Sequence, residues 1–329
     1  MNRRTSAFTL VELIVATGVL GVLLIFVFGT MVTTQKKATA VDDTVDVQQS
    51  ARQIADLMER DLRHTGMMVA DAAAMCGIDN DNAPDRFYVT NWEVVVPGKD
   101  LRPILGATVV GANDIPASGS PFAVDTLVLE EGSPDPAYDI DGDGTLDSDF
   151  ASTGYIILAD ANNPSRGTAC GAITDVILPD QLEYSLDAGG LTAVPPGGKS
   201  PRIVAVPAIR YSLDGSGRLF RNAFQLASNV EDVQLAWFVD ANKNNTIDLG
   251  EYRGDGVSAN YNPQTVDASL LREIRLNVIL RTPDPDPELT TGNPIATENR
   301  NVAPTNDGFR RRAYTSVVRL RNLGRRVVL

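Results

Sequence analysis

Histidine is almost missing from this chain: His64 is the one copy in 329 residues. That excludes zinc clusters built on histidine and leaves any Ser-His-Asp or Cys-His scheme with a single candidate base. No nucleophile, base and orienting group stand out as a set, so an enzyme is not expected. Cysteine is nearly as scarce, with Cys76 and Cys170 alone. They are either one long-range disulfide or two unrelated buried thiols, and an exported domain favours pairing. Such a bridge would contribute up to about 4–5 kcal/mol in the chain-entropy view. Positive charge is in deficit, with 29 Lys and Arg against 42 Asp and Glu, a net charge of −13. That balance removes the basic face on which nucleic-acid binding depends. It suits a solvated exterior that attracts cations. Charge of either sign is absent from Leu13 to Thr34.

That uncharged run, at about 1.5 Å rise per residue, is long enough to cross a ~30 Å hydrocarbon core as a helix. Arg3 and Arg4 precede it and Lys36 and Lys37 follow it. The early basic pair predicts a cytoplasmic start and an exported C-terminus. An ordinary secretory signal has a shorter apolar region that ends in its cleavage site. A plain membrane anchor leaves Glu12 unexplained, because a carboxylate at the start of an apolar helix is costly in lipid without a partner.

The residues around it are Ala7, then Phe8-Thr9-Leu10-Val11-Glu12-Leu13. This pattern resembles the type IV prepilin family. The resemblance implies that a prepilin peptidase in the membrane cuts between Ala7 and Phe8 and methylates the new amine. Ala7 stands where the family usually has glycine. Residues 1–7 would be a leader, and their loss would take the net charge from −13 to −15 by removing Arg3 and Arg4. Glu12 would become the fifth residue of the mature chain and pair with the free amine of a neighbouring subunit. Two opposite charges in a low-dielectric filament core relieve each other's desolvation. The implied partners are other pilins, met through the N-terminal helix. The implied location is the inner membrane, as a single pass, before assembly and an extracellular pilus afterwards.

Beyond the apolar run, Val47, Ala51, Ile54, Met58 and Leu62 form one stripe at helical spacing, with charged residues between them. This is an amphipathic helix whose stripe faces a domain. Thr65-Gly66 is a stop signal. Residues 8–65 therefore read as one helix, with 8–34 in membrane or filament core, and 66–329 as an extracellular β-rich domain. The fold class is α+β. Candidate strands are Phe87–Val96, Ala123–Glu130, Tyr155–Ala159, Ala172–Leu178, Ile203–Leu213, Val233–Val239, Glu273–Arg281 and Tyr314–Leu320. In Glu273–Arg281, Ile274, Leu276, Val278 and Leu280 alternate with Arg275 and Asn277, while Ile279 breaks the polar face. Tyr211–Phe220 reads as a hairpin with a Gly-rich turn. Thr282–Asp307, rich in Pro, Asp, Asn and Thr, reads as a long mobile loop. The Tyr211-Ser212-Leu213 hairpin, Asn229–Leu235 and Val317–Asn322 are similar to large PilW-type minor pilins.

Two acidic loops carry the spacing of calcium ligands. In the first, Asp139, Asp141, Asp143 and Asp147 supply oxygens at positions 1, 3, 5 and 9, Gly144 takes position 6 and Thr145 offers its carbonyl at 7. Phe150 stands where a closing Glu is usual. The alternative is a solvated acidic turn. In the second, Asp240, Asn242, Asn244, Thr246, Asp248 and Glu251 fill the ligand positions, with Asn245 at the sharp turn. Here the alternative is an Asn-rich hairpin tip. Neither loop lies between helices.

Arg253-Gly254-Asp255 matches an integrin-binding tripeptide, and Asp255 reads equally well as a turn residue. Arg310-Arg311-Arg312 reads as a solvated start to a strand. His64, in the last helical turn, is placed to bond terminal carbonyls. The leading function is a minor pilin that primes or caps a type IV pilus. A minor pseudopilin of a type II secretion system and a pilus-tip adhesin are the alternatives.

Overall fold

The computed structural model describes residues 9–67, 69–91, 107–125, 150, 153–177, 181–244, 246, 248, 250–286, 289, 292–303 and 305–323. One helix, α1 (Leu10–His64), opens it. Its 55 residues make a rod of about 80 Å. The helix ends at Thr65, and Gly66 follows at φ +76° with its Cα hydrogen side pressed on Leu323, so a side chain there would be both strained and blocked. His64 Nδ1 lies 2.7 Å from the Arg60 carbonyl oxygen.

The two halves of α1 differ. From Leu10 to Thr39 every residue is exposed. From Val47 onward the stripe Val47, Ala51, Ile54, Met58 and Leu62 is buried against the domain. That burial, rather than helix propensity, is what holds the second half in place.

Ten strands form one antiparallel sheet: β1 (Met75–Ile78), β2 (Arg86–Thr90), β3 (Ala107–Thr108), β4 (Phe122–Ala123), β5 (Tyr155–Asp160), β6 (Thr168–Ile177), β7 (Gln181–Gly189), β8 (Ile203–Leu213), β9 (Leu219–Arg221) and β10 (Phe224–Ala227). Its main path runs β1-β2-β8-β5-β6-β7-β4, with β3 and the β9–β10 hairpin attached through β8. β1 and β6 are not neighbours on this path, yet Cys76 of β1 and Cys170 of β6 are joined by a disulfide with Cα atoms 6.2 Å apart. The sheet is therefore curled.

A second sheet holds β11 (Val230–Val239), β12 (Tyr252–Arg253), β13 (Leu271–Arg281) and β14 (Arg311–Arg319) in the order β12-β11-β13-β14. Its inner face joins the α1 stripe and residues of β2 and β8 in one core, which includes Ile274, Leu276, Val278 and Leu280 of β13. The alternation read from the sequence is kept, and the break at Ile279 has a cause. Ile279 is 1 % exposed on the outer face, lining a small hollow with Pro294, Ile295, Val302 and Ala303.

Most expected strands fall on observed ones, and Ile203–Leu213 has the same bounds. The parts of Phe87–Val96 and Ala123–Glu130 beyond residues 91 and 125 lie outside the described residues. β7 was not anticipated, although Leu182, Tyr184 and Leu186 alternate with Glu183, Ser185 and Asp187. Among its described residues Thr282–Asp307 forms no strand, as expected of a loop, but polar pairs anchor it. Arg310 holds Asp286 at 2.5 Å, Arg311 holds Asp307 at 2.5 Å, and Arg275 grips Glu298 through two bonds of 2.6 Å. These pairs tie its described residues to the sheet.

Candidate functional site

The bare half of α1 is a continuous apolar surface, with Leu10, Ile25 and Phe26 each 70 % exposed or more. Its composition and length suffice to cross a membrane. Glu12 is the one charged residue among its first turns, and Thr9 engages it. Glu12 Oε2 accepts from the Thr9 backbone N–H and from the Thr9 hydroxyl, both at 2.9 Å, and the Glu12 N–H donates to Thr9 Oγ1 at 3.3 Å. This reciprocal capping box satisfies free N–H groups of the helix start. Among the described residues no cation pairs with Glu12. Ala7 and Phe8 lie outside the described residues.

The second acidic loop joins β11 to β12. Asp240 is fully buried and Glu251 nearly so. Asp240 Oδ1 accepts the Asn244 N–H at 3.0 Å, and Asp240 Oδ2 lies 3.3 Å from Arg272 Nε. Asn242 Oδ1 also accepts the Asn244 N–H, and Asn244 Oδ1 accepts the Thr246 N–H at 2.8 Å. Glu251 turns back into the loop, where its two oxygens accept from the N–H groups of Asn242 and Asp248. The amides of Asn242 and Asn244 donate to Asp248 Oδ2 at 2.8 and 2.6 Å, and these bonds hold the Asp248 carboxyl below its ordinary range. Lys243 takes a left-handed φ of +60°. The chain thus wraps on itself with oxygens turned inward. Among the described residues, no group of three or more His, Cys, Asp or Glu side chains is arranged around a metal-sized centre; half of this loop's candidate ligands are Asn and Thr. The first acidic loop, with Asp139, Asp141, Asp143, Thr145 and Asp147, lies outside the described residues.

Cys76 and Cys170 are both fully buried in a cluster with Tyr88, Ile157 and Val206. Arg253-Gly254-Asp255 forms a turn in which Arg253 and Asp255 are half-buried. Gly254 is buried at φ +78° where a Cβ would meet Asp79, and Asp255 Oδ1 accepts the N–H groups of Val257 and Ser258. Arg311 departs from the expected solvated start of a strand. It is 7 % exposed and bound by Glu231, Asp307 and the Gly292 carbonyl.

The burial of Asp61 and Asp85 is not anticipated from the sequence. Asp61, on the docked face of α1, is fully buried against Tyr211 and Arg221. Its place three residues after Met58 on the stripe was the available signal. Asp85 is 1 % exposed and accepts the N–H groups of Asn80 and Leu235. No pattern in the sequence marks it as buried.

A profile of the type IV pilus-assembly protein W family, PilW, matches residues 200–322, the segment that builds β8 to β14. Among solved structures, a type IV-like pilin from Thermus thermophilus matches with 14 % identity over 52 % of this chain and 86 % of that one, at a TM-score of 0.24, a superposition too loose to argue from. No curated protein matches the chain. Over residues 200–322 the chain is thus similar to the type IV pilus-assembly protein W family, and an apolar N-terminal helix long enough to cross a membrane stands ahead of that segment.

Proposed function

We propose that the chain is a minor pilin that primes or caps a type IV pilus. In this reading prepilin peptidase cuts between Ala7 and Phe8 and methylates the new amine. The subunit then waits in the inner membrane as a single pass, and finally packs its bare helix among those of other pilins. The observation that carries the reading is the division of α1 into an exposed apolar half and a docked half. Such a surface demands lipid first and other apolar helices afterwards. Glu12 supplies the charge that a neighbour's amine would answer. A domain of this size is awkward to repeat along a whole filament, which favours a minor subunit.

A pseudopilin of a type II secretion system would use the same helix logic, and the genes beside this one separate the two. A tip adhesin would use the 282–309 loop and the acidic loops, and a surface-ligand binding assay tests it. Calcium belongs to the proposal at Asp240–Glu251, where Asp240, Asn242, Asn244, the Thr246 carbonyl, Asp248 and Glu251 would hold it. The hard-oxygen donor set and the inward-turned Glu251 favour that ion.

Two measurements test the assembly reading. Mass spectrometry of the assembled protein should begin at N-methylated Phe8, and an intact Met1 in pili would overturn the processing. Glu12→Ala should leave a folded, membrane-inserted protein that fails to enter pili. Normal incorporation of that variant would overturn the pairing.

A further inference from the structure

We propose that Gly292–Ala303 is a strap that closes over the outer face of β13 and opens locally while the rest of the domain stays folded. Three consecutive side chains form its clasp. Glu298 accepts from Arg275 through two bonds of 2.6 Å and from Asn277 Nδ2 at 2.6 Å. Asn299 Nδ2 donates to Asp79 Oδ1 at 2.5 Å and lies 3.0 Å from Asp81 Oδ1. Arg300 Nε donates to Asp232 Oδ2 at 3.0 Å. Two backbone bonds complete it, from Asn299 N–H to the Gly254 carbonyl and from Asn301 N–H to the Asp81 carbonyl.

Independent features mark this clasp as weakly held. Glu298 sits at φ +52°, a left-handed conformation that residues with a Cβ seldom take. Thr297 Oγ1, Asn299 Oδ1 and Arg300 Nη1 are buried with no hydrogen-bond partner among the described residues. Buried polar atoms left unpaired raise the free energy of the closed state and lower the cost of opening. A hollow of about 260 Å³ is lined by Ile279 and by Pro294, Ile295, Val302 and Ala303 of the strap, and none of the five belongs to the domain's buried hydrophobic clusters, so apolar packing does little to make up the difference. Segments with few apolar contacts and strained polar anchors are those that open on their own.

Opening changes what the outer face presents. Closed, the strap covers Ile279 and occupies Arg275, Asn277, Asp79 and Asp81. Open, it leaves an apolar residue flanked by a guanidinium, an amide and a pair of carboxylates. This face lies on the opposite side of the second sheet from α1, so the device works whether or not the assembly reading holds.

Native-state hydrogen exchange on the full-length protein in detergent micelles tests the strap. The amides of Asn299 and Asn301 should exchange at least tenfold faster than those of β8, after correction for intrinsic rates, and with almost no dependence on low denaturant. Glu298→Gln should speed both by about tenfold and leave β8 unchanged. Strap amides that exchange together with β8, with the same denaturant slope, would overturn the proposal. So would a Glu298→Gln variant in which strap and β8 accelerate equally.

Discussion

Asp61 of α1 and Arg221 of β9 meet at 2.7 Å, with the carboxylate fully buried and its same oxygen accepting the Tyr211 hydroxyl at 2.7 Å. This joins the helix to the ten-stranded sheet through a charge buried beside the apolar stripe. A buried pair is a poor source of net stability, but breaking it strands a charge in low dielectric. Asp61→Ala should therefore lower the unfolding free energy by about 3–5 kcal/mol. Asp61→Ala with Arg221→Leu should recover much of that loss. Denaturant unfolding of the full chain in micelles reads both. A single variant as stable as the parent would show that the contact does not hold the helix.

The disulfide should behave as a buried staple. Cys76 and Cys170 are both fully buried, so a reductant should reach them only on unfolding. The disulfide should resist an added reductant in native buffer and be reduced at once by the same reductant in denaturant, as followed by labelling of the two thiols released. Replacing both by Ser should cost on the order of 4–5 kcal/mol, the value for a loop of this length. Rapid reduction without loss of the native fold would contradict the packing described.

Stability should fall as pH rises through the neutral range. Burial, with Asp79 and Asp232 nearby, pushes the Asp85 carboxyl up to about 8 against the two N–H bonds that favour its charge. The unfolded chain releases that proton near pH 4. Between those values the folded state therefore holds a proton that the unfolded state has lost, so the contribution is complete below pH ~4 and is gone above about 8. Asp307 works in the opposite sense: bonds from Arg311 hold its carboxyl down to about 2, and its contribution is lost only at stronger acid. Melting temperature should drop from pH 5 to pH 8.5, and Asp85→Asn should flatten that slope. An equal slope in both proteins would remove Asp85 as the cause.

Calcium should raise the melting temperature relative to chelator. At a tenfold excess over Kd, binding to the folded state alone stabilises by about 1.4 kcal/mol. Asp240 makes a poor test position, because it is buried beside Arg272 and its loss would destabilise the domain without any ion. Asn244 and Asp248 are better. Asn244→Ala or Asp248→Ala should each reduce the calcium-dependent shift while leaving the melt in chelator nearly unchanged. Identical melts in calcium and chelator, with no heat on titration, would leave Asp240–Glu251 as a hairpin tip.

The rod and much of the scaffold are legible in one dimension. A charge-free run, a stripe at helical spacing and a Thr-Gly stop are local signals, so α1 and its docked face could be read without any partner. The same holds for β8 and for the alternation of β13, where side-chain direction follows the pleat. What those faces meet is set by long-range packing. The curl of the large sheet brings Cys76 to Cys170 across strands that do not neighbour each other. The strap puts an apolar residue, Ile279, on a face that otherwise reads as solvent-exposed. Asp61, Asp85 and Arg311 look like surface charges in one dimension, because burial and counter-charge arise from segments far away in the chain. Arg311, for example, meets Glu231 from 80 positions away. Local periodicity fixes which way a side chain points, and only long-range packing fixes whether water, an ion partner or another strand waits there.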